Sequence, residues 1–85
     1  MYNRNDYQMK DSTYDALIRY AKEKIRTGEF LYSVLTNNLF ESFAHADDIN
    51  KVDLYDIVTF VYNELPGICW GSKEKVEKWL EKNDV

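Results

Sequence analysis

Residues 51–67, KVDLYDIVTFVYNELPG, decide the fold class, because they combine a long helical pattern with a helix stop. Apolar residues recur there at the spacing of one helix face, at Leu54, Ile57, Val58, Val61 and Leu65. Pro66 and Gly67 follow at once, and neither residue continues a helix well. The stretch therefore predicts a helix over residues 51–64 whose apolar face packs into a core.

Three further segments show the same periodicity between helix-start and helix-stop residues. The first covers residues 13–26 and ends before Gly28, a residue suited to the left-handed position after a helix. The second covers residues 29–45, and the last covers residues 73–82 after the capping residue Ser72. No segment alternates polar and apolar residues between hairpin turns. The sequence thus predicts an all-α fold, a compact four-helix bundle.

Length and composition indicate one domain. The chain has 85 residues, which suffices for a single core. Residues 1–11 lack periodicity and are predicted to form a flexible N-terminal arm, which leaves residues 12–85 as a single helical domain. The N-terminal residues lack the apolar run of a secretion signal, and no segment is apolar enough to span a membrane. We expect a cytoplasmic protein that does not bind membranes.

The charges are unevenly distributed along the chain. Residues 1–28 contain six basic and four acidic residues, whereas residues 29–66 contain one basic and seven acidic residues. Residues 67–85 contain four of each. Because phosphate contacts require clustered Lys and Arg, this acidic centre makes direct binding to duplex nucleic acid improbable.

Few residues suit catalysis or metal binding. His45 and Cys69 are the sole residues of their types, so no disulfide forms within the chain and no tetrahedral zinc site is complete. His45 is followed closely by Asp47 and Asp48, but adjacent loop positions make a poor metal site. No nucleophile, base and orienting residue can be assembled. We predict that the protein is not an enzyme and holds neither metal nor cofactor.

Aromatic residues exceed what a core of this size encloses: the chain has seven Tyr, four Phe and two Trp. Such residues suit a subunit interface or a ligand groove, although several of them half-exposed on an ordinary surface would also account for the count. The apolar arcs of the second and third predicted helices exceed what a four-helix monomer buries. We predict a homo-oligomer whose contact includes Tyr32, Phe40, Tyr55 and Phe60.

Residues 28–80, which begin GEFLYSVLTNNLFESFAHADDIN and end VDLYDIVTFVYNELPGICWGSKEKVEKWL, contain four motifs: G-x-F-L-x-x-V-L-x-N-x-L, A-D-x-x-N, Y-N-E-x-P and C-W-G-S. With these motifs the chain resembles a family of small helical proteins encoded in bacteriophages and prophages. Asn38 departs from that family, which often has an acidic residue there, and residues 1–11 have no counterpart in it. The resemblance implies a phage source and a fold, and it implies no activity.

The motif residues include the candidate site. Asn37, Asn63 and Glu64 belong to these motifs. A polar helix position away from a cap can hold several residue types without harm to folding, so the presence of these three in the motifs makes them candidates for binding. Tyr62 and Trp70 are candidates for stacking on a ligand, although Trp70 could equally fill the core. Arg19, Lys22 and Arg26, on the first predicted helix, are candidates for holding an anionic group.

The predicted function is stoichiometric binding. A phage gains from small proteins that interfere with its host, so we expect inhibition of a host protein or defence system. The alternative is sequestration of a small nucleotide-like signalling ligand between helices or subunits. The acidic centre of the chain favours the host protein, because carboxylates repel phosphates.

The aromatic surplus gives a first testable prediction. We expect a homo-oligomer, most simply a dimer, because the unburied apolar arcs need a partner surface. Static light scattering at high micromolar concentration measures the mass directly. A monomeric mass there would contradict the prediction.

Overall fold

The structure, a computed structural model, describes residues 4–82, and this part of the chain is helical without any strand. The prediction of an all-α fold is confirmed. Five α-helices and two short 3₁₀ turns follow one another: a 3₁₀ turn at Arg4–Asp6, α1 at Asp11–Glu23, α2 at Glu29–Leu35, α3 at Leu39–His45, α4 at Asp48–Glu64, a 3₁₀ turn at Gly67–Cys69 and α5 at Lys73–Glu81.

The helix predicted over residues 29–45 is wrong, because the chain breaks it into α2 and α3. Asn37 has a left-handed backbone, with φ of 64°, a conformation that Asn adopts more readily than most residues. Asn38 then caps α3, since its side chain accepts a hydrogen bond from the N–H of Glu41 at 3.2 Å. The described residues therefore contain five helices where the pattern predicted four.

Two other helix ends differ from the predictions because side chains and backbone cap them elsewhere. α1 ends at Glu23, and Lys24 takes the left-handed position expected of Gly28, with φ of 58°. α4 begins three residues before the predicted start, because the Asp47 carboxylate accepts a hydrogen bond from the N–H of Asn50 at 2.7 Å. The cap predicted at Ser72 is confirmed, since its hydroxyl accepts from the N–H of Lys75.

The predicted face of α4 forms the centre of the core. Four of its five residues, Leu54, Ile57, Val61 and Leu65, are buried. They pack in one hydrophobic cluster with buried residues of every other helix except α3, among them Leu17, Tyr20, Leu31, Leu35 and Val76. This cluster connects the helices that flank α3, and α3 itself contributes no large side chain to it.

Tyr20, in the C-terminal half of α1, is hydrogen-bonded to two residues near the C-terminus of the fold, Cys69 and Trp79. Its buried hydroxyl donates a hydrogen bond to the carbonyl of Cys69 at 2.6 Å, while its own carbonyl accepts one from the indole of Trp79 at 2.9 Å. Burial raises the pKa of Tyr20 above its ordinary value. Burial also raises the pKa of the Cys69 thiol to about 11, so that thiol is protonated at neutral pH.

The N-terminal segment, predicted to be a flexible arm over residues 1–11, lies against α4 in its described part, residues 4–10. Met9 is buried in the core. The hydrogen bonds to α4 run from the Tyr7 hydroxyl to Glu64 at 2.9 Å, from the Gln8 N–H to Asp56 at 2.9 Å and from the Gln8 side-chain amide to Asp53 at 3.0 Å. Residues 1–3 and 83–85 lie outside the described residues.

None of the helices within residues 4–82 has the length and apolar composition that crossing a bilayer requires.

The Tyr20 hydroxyl gives a prediction about stability. Tyr20→Phe leaves the buried Cys69 carbonyl without its donor, which we expect to lower the free energy of unfolding by about 1–3 kcal/mol. Tyr62→Phe is the matched control, because Tyr62 is 70% exposed and its change should stay within about 0.5 kcal/mol. Urea denaturation measures both variants. Equal midpoints for Tyr20→Phe and the native chain would contradict the role of this hydrogen bond.

Glu77 on α5 gives a prediction about pH. Its carboxylate accepts two hydrogen bonds from Arg26 and one from the Tyr32 hydroxyl, and these donors hold the pKa of Glu77 below its usual range. Because the pKa of Glu77 is lower in the folded chain than in the unfolded chain, the ionised carboxylate stabilises the fold at pH values above the unfolded pKa. This stabilisation is lost as the pH falls through the folded pKa. Glu77→Gln should therefore weaken the fold at pH 7, by an amount that shrinks below about pH 4.

Urea denaturation at several pH values tests this expectation. Glu81→Gln on the same helix is the control, since Glu81 is exposed. If the difference in free energy of unfolding between Glu77→Gln and the native chain stays constant from pH 3 to pH 7, Glu77 does not contribute in this way.

Candidate functional site

α3 and α4 expose large apolar side chains toward the same side of the molecule. Tyr55 on α4 is 80% exposed. Four more exposed side chains on these two helices line one groove with it: Leu39, Phe43, Val52 and Val58. Phe40 on α3 is 84% exposed but does not line this groove. The prediction that Val58 lies in the core is wrong, because Val58 is exposed at the edge of the buried face of α4. Leu39 and Phe43 are exposed because the break at Asn37 turns α3 away from the core.

A groove of about 460 Å³ lies between these two helices. Its lining is mostly apolar, with Leu39 and Phe43 on the α3 side and Val52, Tyr55 and Val58 on the α4 side. The polar groups in its wall are few, and they belong to Asn37, Asn38, Ser42 and Lys51. An open groove with apolar walls and a few polar groups is typical of a recognition site.

A second, smaller pocket of about 200 Å³ continues from this groove. The two share Val34, Asn37 and Val58, and the smaller pocket adds Val61, Tyr62 and Trp70. We call the two together the α3–α4 groove. The rings of Tyr62 and Trp70 lie 5.6 Å apart between centroids, and the Trp70 indole donates to the carbonyl of Leu65 at 3.1 Å. Trp70 is half-buried, so it serves both the core and the wall of the groove.

Asn37 lies where the two parts of the groove meet. Two of its polar neighbours are already hydrogen-bonded within the fold: Asn38 caps α3, and the Ser42 hydroxyl donates to the carbonyl of Asn38 at 2.8 Å. The exposed Asn37 side chain makes no hydrogen bond to any residue within 4–82. Its amide is therefore available to a bound partner in otherwise apolar surroundings.

The structure thus brings three of the predicted site residues together: Asn37, Tyr62 and Trp70 line one pocket. Asn63 and Glu64 belong elsewhere, because both contact Tyr7 of the N-terminal segment. The Asn63 amide donates to the Tyr7 oxygen at 3.3 Å, and that hydroxyl donates to Glu64 at 2.9 Å. This contact gives Asn63 and Glu64 a structural role, because it holds the N-terminal segment against α4.

The three predicted cationic residues do not line this groove. Arg19 and Lys22 lie on α1 and are exposed. The Arg26 guanidinium, in the loop after α1, binds the Glu77 carboxylate through two hydrogen bonds at 3.2 and 2.9 Å. None of them lies in the wall that Asn37 shares with Tyr62 and Trp70. Their role in anion binding stays a prediction.

The four residues predicted at a subunit contact differ in their exposure. Phe40 and Tyr55 are exposed, as a contact requires, but Phe60 is completely buried, so its placement there is wrong. Phe60 packs edge-on against Tyr7 and Tyr14, with centroids 5.1 and 5.6 Å apart. Tyr32 is half-buried and donates its hydroxyl to Glu77 at 2.6 Å.

A polar groove of about 320 Å³ lies on the other side of Asn38. Its lining includes Glu29, Glu41, His45 and Lys73, and Nε2 of the His45 imidazole lies 3.0 Å from a carboxylate oxygen of Glu41. The Cys69 thiol does not line this groove, so His45 and Cys69, which could act as base and nucleophile, do not lie together there. Within residues 4–82, no three His, Cys, Asp or Glu residues are grouped so that they could hold a metal ion.

The sequence contained one signal for the α3–α4 groove. The apolar arc of α4 is wider than one core contact needs, because Val52, Tyr55, Phe60 and Tyr62 extend it. All of these except the buried Phe60 line the groove. The sequence could not show that α3 would expose its own apolar residues opposite them. That arrangement depends on the break at Asn37.

Comparison of the chain with protein-family models, with curated proteins and with solved structures gives no match. What the site does must therefore follow from its own side chains.

Proposed function

We propose that the chain is a phage-encoded, non-enzymatic binding protein that inhibits a host protein or defence system by stoichiometric binding in the host cytoplasm. The observation that carries this proposal is the α3–α4 groove with its exposed apolar walls. The phage source rests on the motif resemblance in residues 28–80.

The groove favours binding because its apolar side chains are in contact with water. Covering one large apolar side chain contributes about 1.5–3 kcal/mol, so several in one groove supply much of the free energy that a specific complex needs. Monomeric proteins seldom expose a contiguous apolar patch of this kind without a partner. Val52 and Tyr55, 76% and 80% exposed, contribute little to the core, which leaves recognition as the better reason for their presence.

The composition of the groove wall indicates which class of partner covers it. Among the described residues its lining is mostly apolar, with one charged residue, Lys51, and no carboxylate. Such a surface suits an apolar segment of another polypeptide. A second copy of the chain could supply that segment, and the homo-oligomer predicted from the sequence stays a prediction. A segment of a host protein is the occupant that we propose, in line with the motif resemblance to phage proteins.

A nucleotide-like ligand is the less favoured occupant. Phosphates need clustered cations, and Lys51 is the one basic residue in the wall of the α3–α4 groove. Arg26 is paired with Glu77 and does not line the groove. The sequestering alternative would have to use a surface other than this groove.

The proposal predicts that groove substitutions abolish binding without harming the fold. In the double variant Val52→Ser, Tyr55→Ser the apolar wall on α4 is lost, while stability should change by no more than about 1 kcal/mol because both side chains are exposed. Ile68→Ser is the matched control, since Ile68 is 55% exposed and lies outside the groove. The measurement is native mass spectrometry of each tagged protein recovered from bacterial cells.

The expected result is one host polypeptide bound at a fixed ratio to the native chain and to Ile68→Ser, and absent from the double variant. A small bound mass instead of a polypeptide would overturn the proposal in favour of ligand sequestration. Multiple turnover of a substrate that is lost in His45→Ala or Cys69→Ala would overturn the non-enzymatic assignment.

A further inference from the structure

Phe40 is the large apolar residue that the proposed function leaves unexplained. Its side chain is 84% exposed, a higher fraction than that of any other large apolar residue in the described part of the chain. It does not line the α3–α4 groove. Phe43 does line the groove, and residues three apart are neighbours on a helix surface. Phe40 therefore projects from α3 beside the groove.

The groove itself exposes enough apolar surface for a stable dimer. Six of its side chains are between 46% and 80% exposed: Leu39, Phe43, Val52, Tyr55, Val58 and Tyr62. These fractions correspond to roughly 500–700 Å² of apolar surface. A standard interface covers about 800 Å² on each partner, and about two thirds of it is apolar in homodimers. The groove alone supplies that apolar share.

The charges of the groove wall allow two copies to meet there. Within residues 4–82 the wall contains no carboxylate, and Lys51 is its one charged side chain. Docked copies would therefore bring no pair of acidic wall residues together, a contact that would cost free energy. The long apolar stem of Lys51 lets its ammonium group stay in water at the edge of the contact.

A two-fold dimer also needs a convex part, because two concave grooves cannot fill each other. In such a dimer each contact occurs twice, so a residue that projects from one copy can enter the groove of the other and the reverse contact follows by symmetry. Phe40 is the projecting residue beside the groove. The groove of about 460 Å³ has the size of a site for a small molecule, so it has room for one phenyl ring.

We infer that two copies of the chain form a two-fold dimer in which Phe40 of each copy enters the α3–α4 groove of the other, between Phe43 on α3 and Tyr55 on α4. Of the four residues predicted at a subunit contact, Phe40 and Tyr55 belong to this one. The dimer covers the groove until a host protein displaces the second copy. The displacement rests on the proposed function, whereas the dimer does not.

The test compares the full native chain with three variants by sedimentation velocity from low to high micromolar concentration. Phe40→Ser removes the projecting ring, and the double variant Val52→Ser, Tyr55→Ser removes the wall on α4. Ile68→Ser is the control, because Ile68 is 55% exposed and does not line the groove. All the changed side chains are exposed, so the variants should fold, and urea denaturation checks this.

The native chain and Ile68→Ser should both be dimers at high micromolar concentration. Phe40→Ser and the double variant should each raise the Kd of the dimer at least about tenfold, because apolar side chains that the contact covers are lost. A mixture of these two variants retains one complete contact, between Phe40 of the double variant and the unchanged groove of Phe40→Ser. The mixture should therefore contain more dimer than either variant alone at the same total concentration.

Three results would overturn the dimer. They are a native chain that stays monomeric at high micromolar concentration, a dimer that neither variant weakens, and a mixture with no more dimer than its components. The proposed function would survive each of them if native mass spectrometry still recovers a host polypeptide that is lost from the double variant.

The displacement has its own test in the same native mass spectra. The host polypeptide should be bound to a single copy of the chain, since it takes the place of the second copy. A complex that contains the host polypeptide and two copies of the chain would overturn the displacement. A native dimer from which no host polypeptide is recovered would uphold the dimer and count against the proposed function.

Discussion

The left-handed backbone at Asn37 determines where the apolar surface of this protein lies. The turn lets α2 bury Leu31 and Leu35 while α3, which only three residues separate from α2, exposes Leu39 and Phe43. A continuous helix over the same residues would carry one apolar face in one direction. Because the turn divides that face, part of the apolar sequence stabilises the core and part forms a wall of the α3–α4 groove.

The capping of α3 makes this turn stable in a short chain. Asn38 closes the start of α3 through Glu41 and Ser42, so the polar backbone groups freed by the break are bonded again. The Asn38 N–H also donates to the carbonyl of Ser33 at 2.9 Å, and the Asn37 N–H donates to that of Val34 at 3.1 Å. The two asparagines thus supply the conformation and the cap that the break requires, while the Asn37 side chain has no hydrogen-bond partner within residues 4–82.

The sequence predicted the elements whose local signals agree with their packing. The buried face of α4 and the Ser72 cap of α5 follow from periodicity and capping, and both are confirmed. The division of residues 29–45 could not be predicted in the same way, because the apolar spacing continues across it and one residue in a rare conformation decides it. For the site, the sequence singled out Asn37, Tyr62 and Trp70, which share a pocket. It could not separate them from Asn63 and Glu64, whose partner Tyr7 is more than fifty residues away.

The burial of Cys69 has a practical consequence for the chemistry of the chain. With the thiol enclosed in the core and its pKa raised to about 11, the reactive thiolate is scarce at neutral pH and alkylating reagents do not reach it. The native cysteine therefore need not be removed before a new one is introduced on the surface. A single engineered cysteine at an exposed position accepts a spectroscopic label selectively, in a protein whose core is left intact.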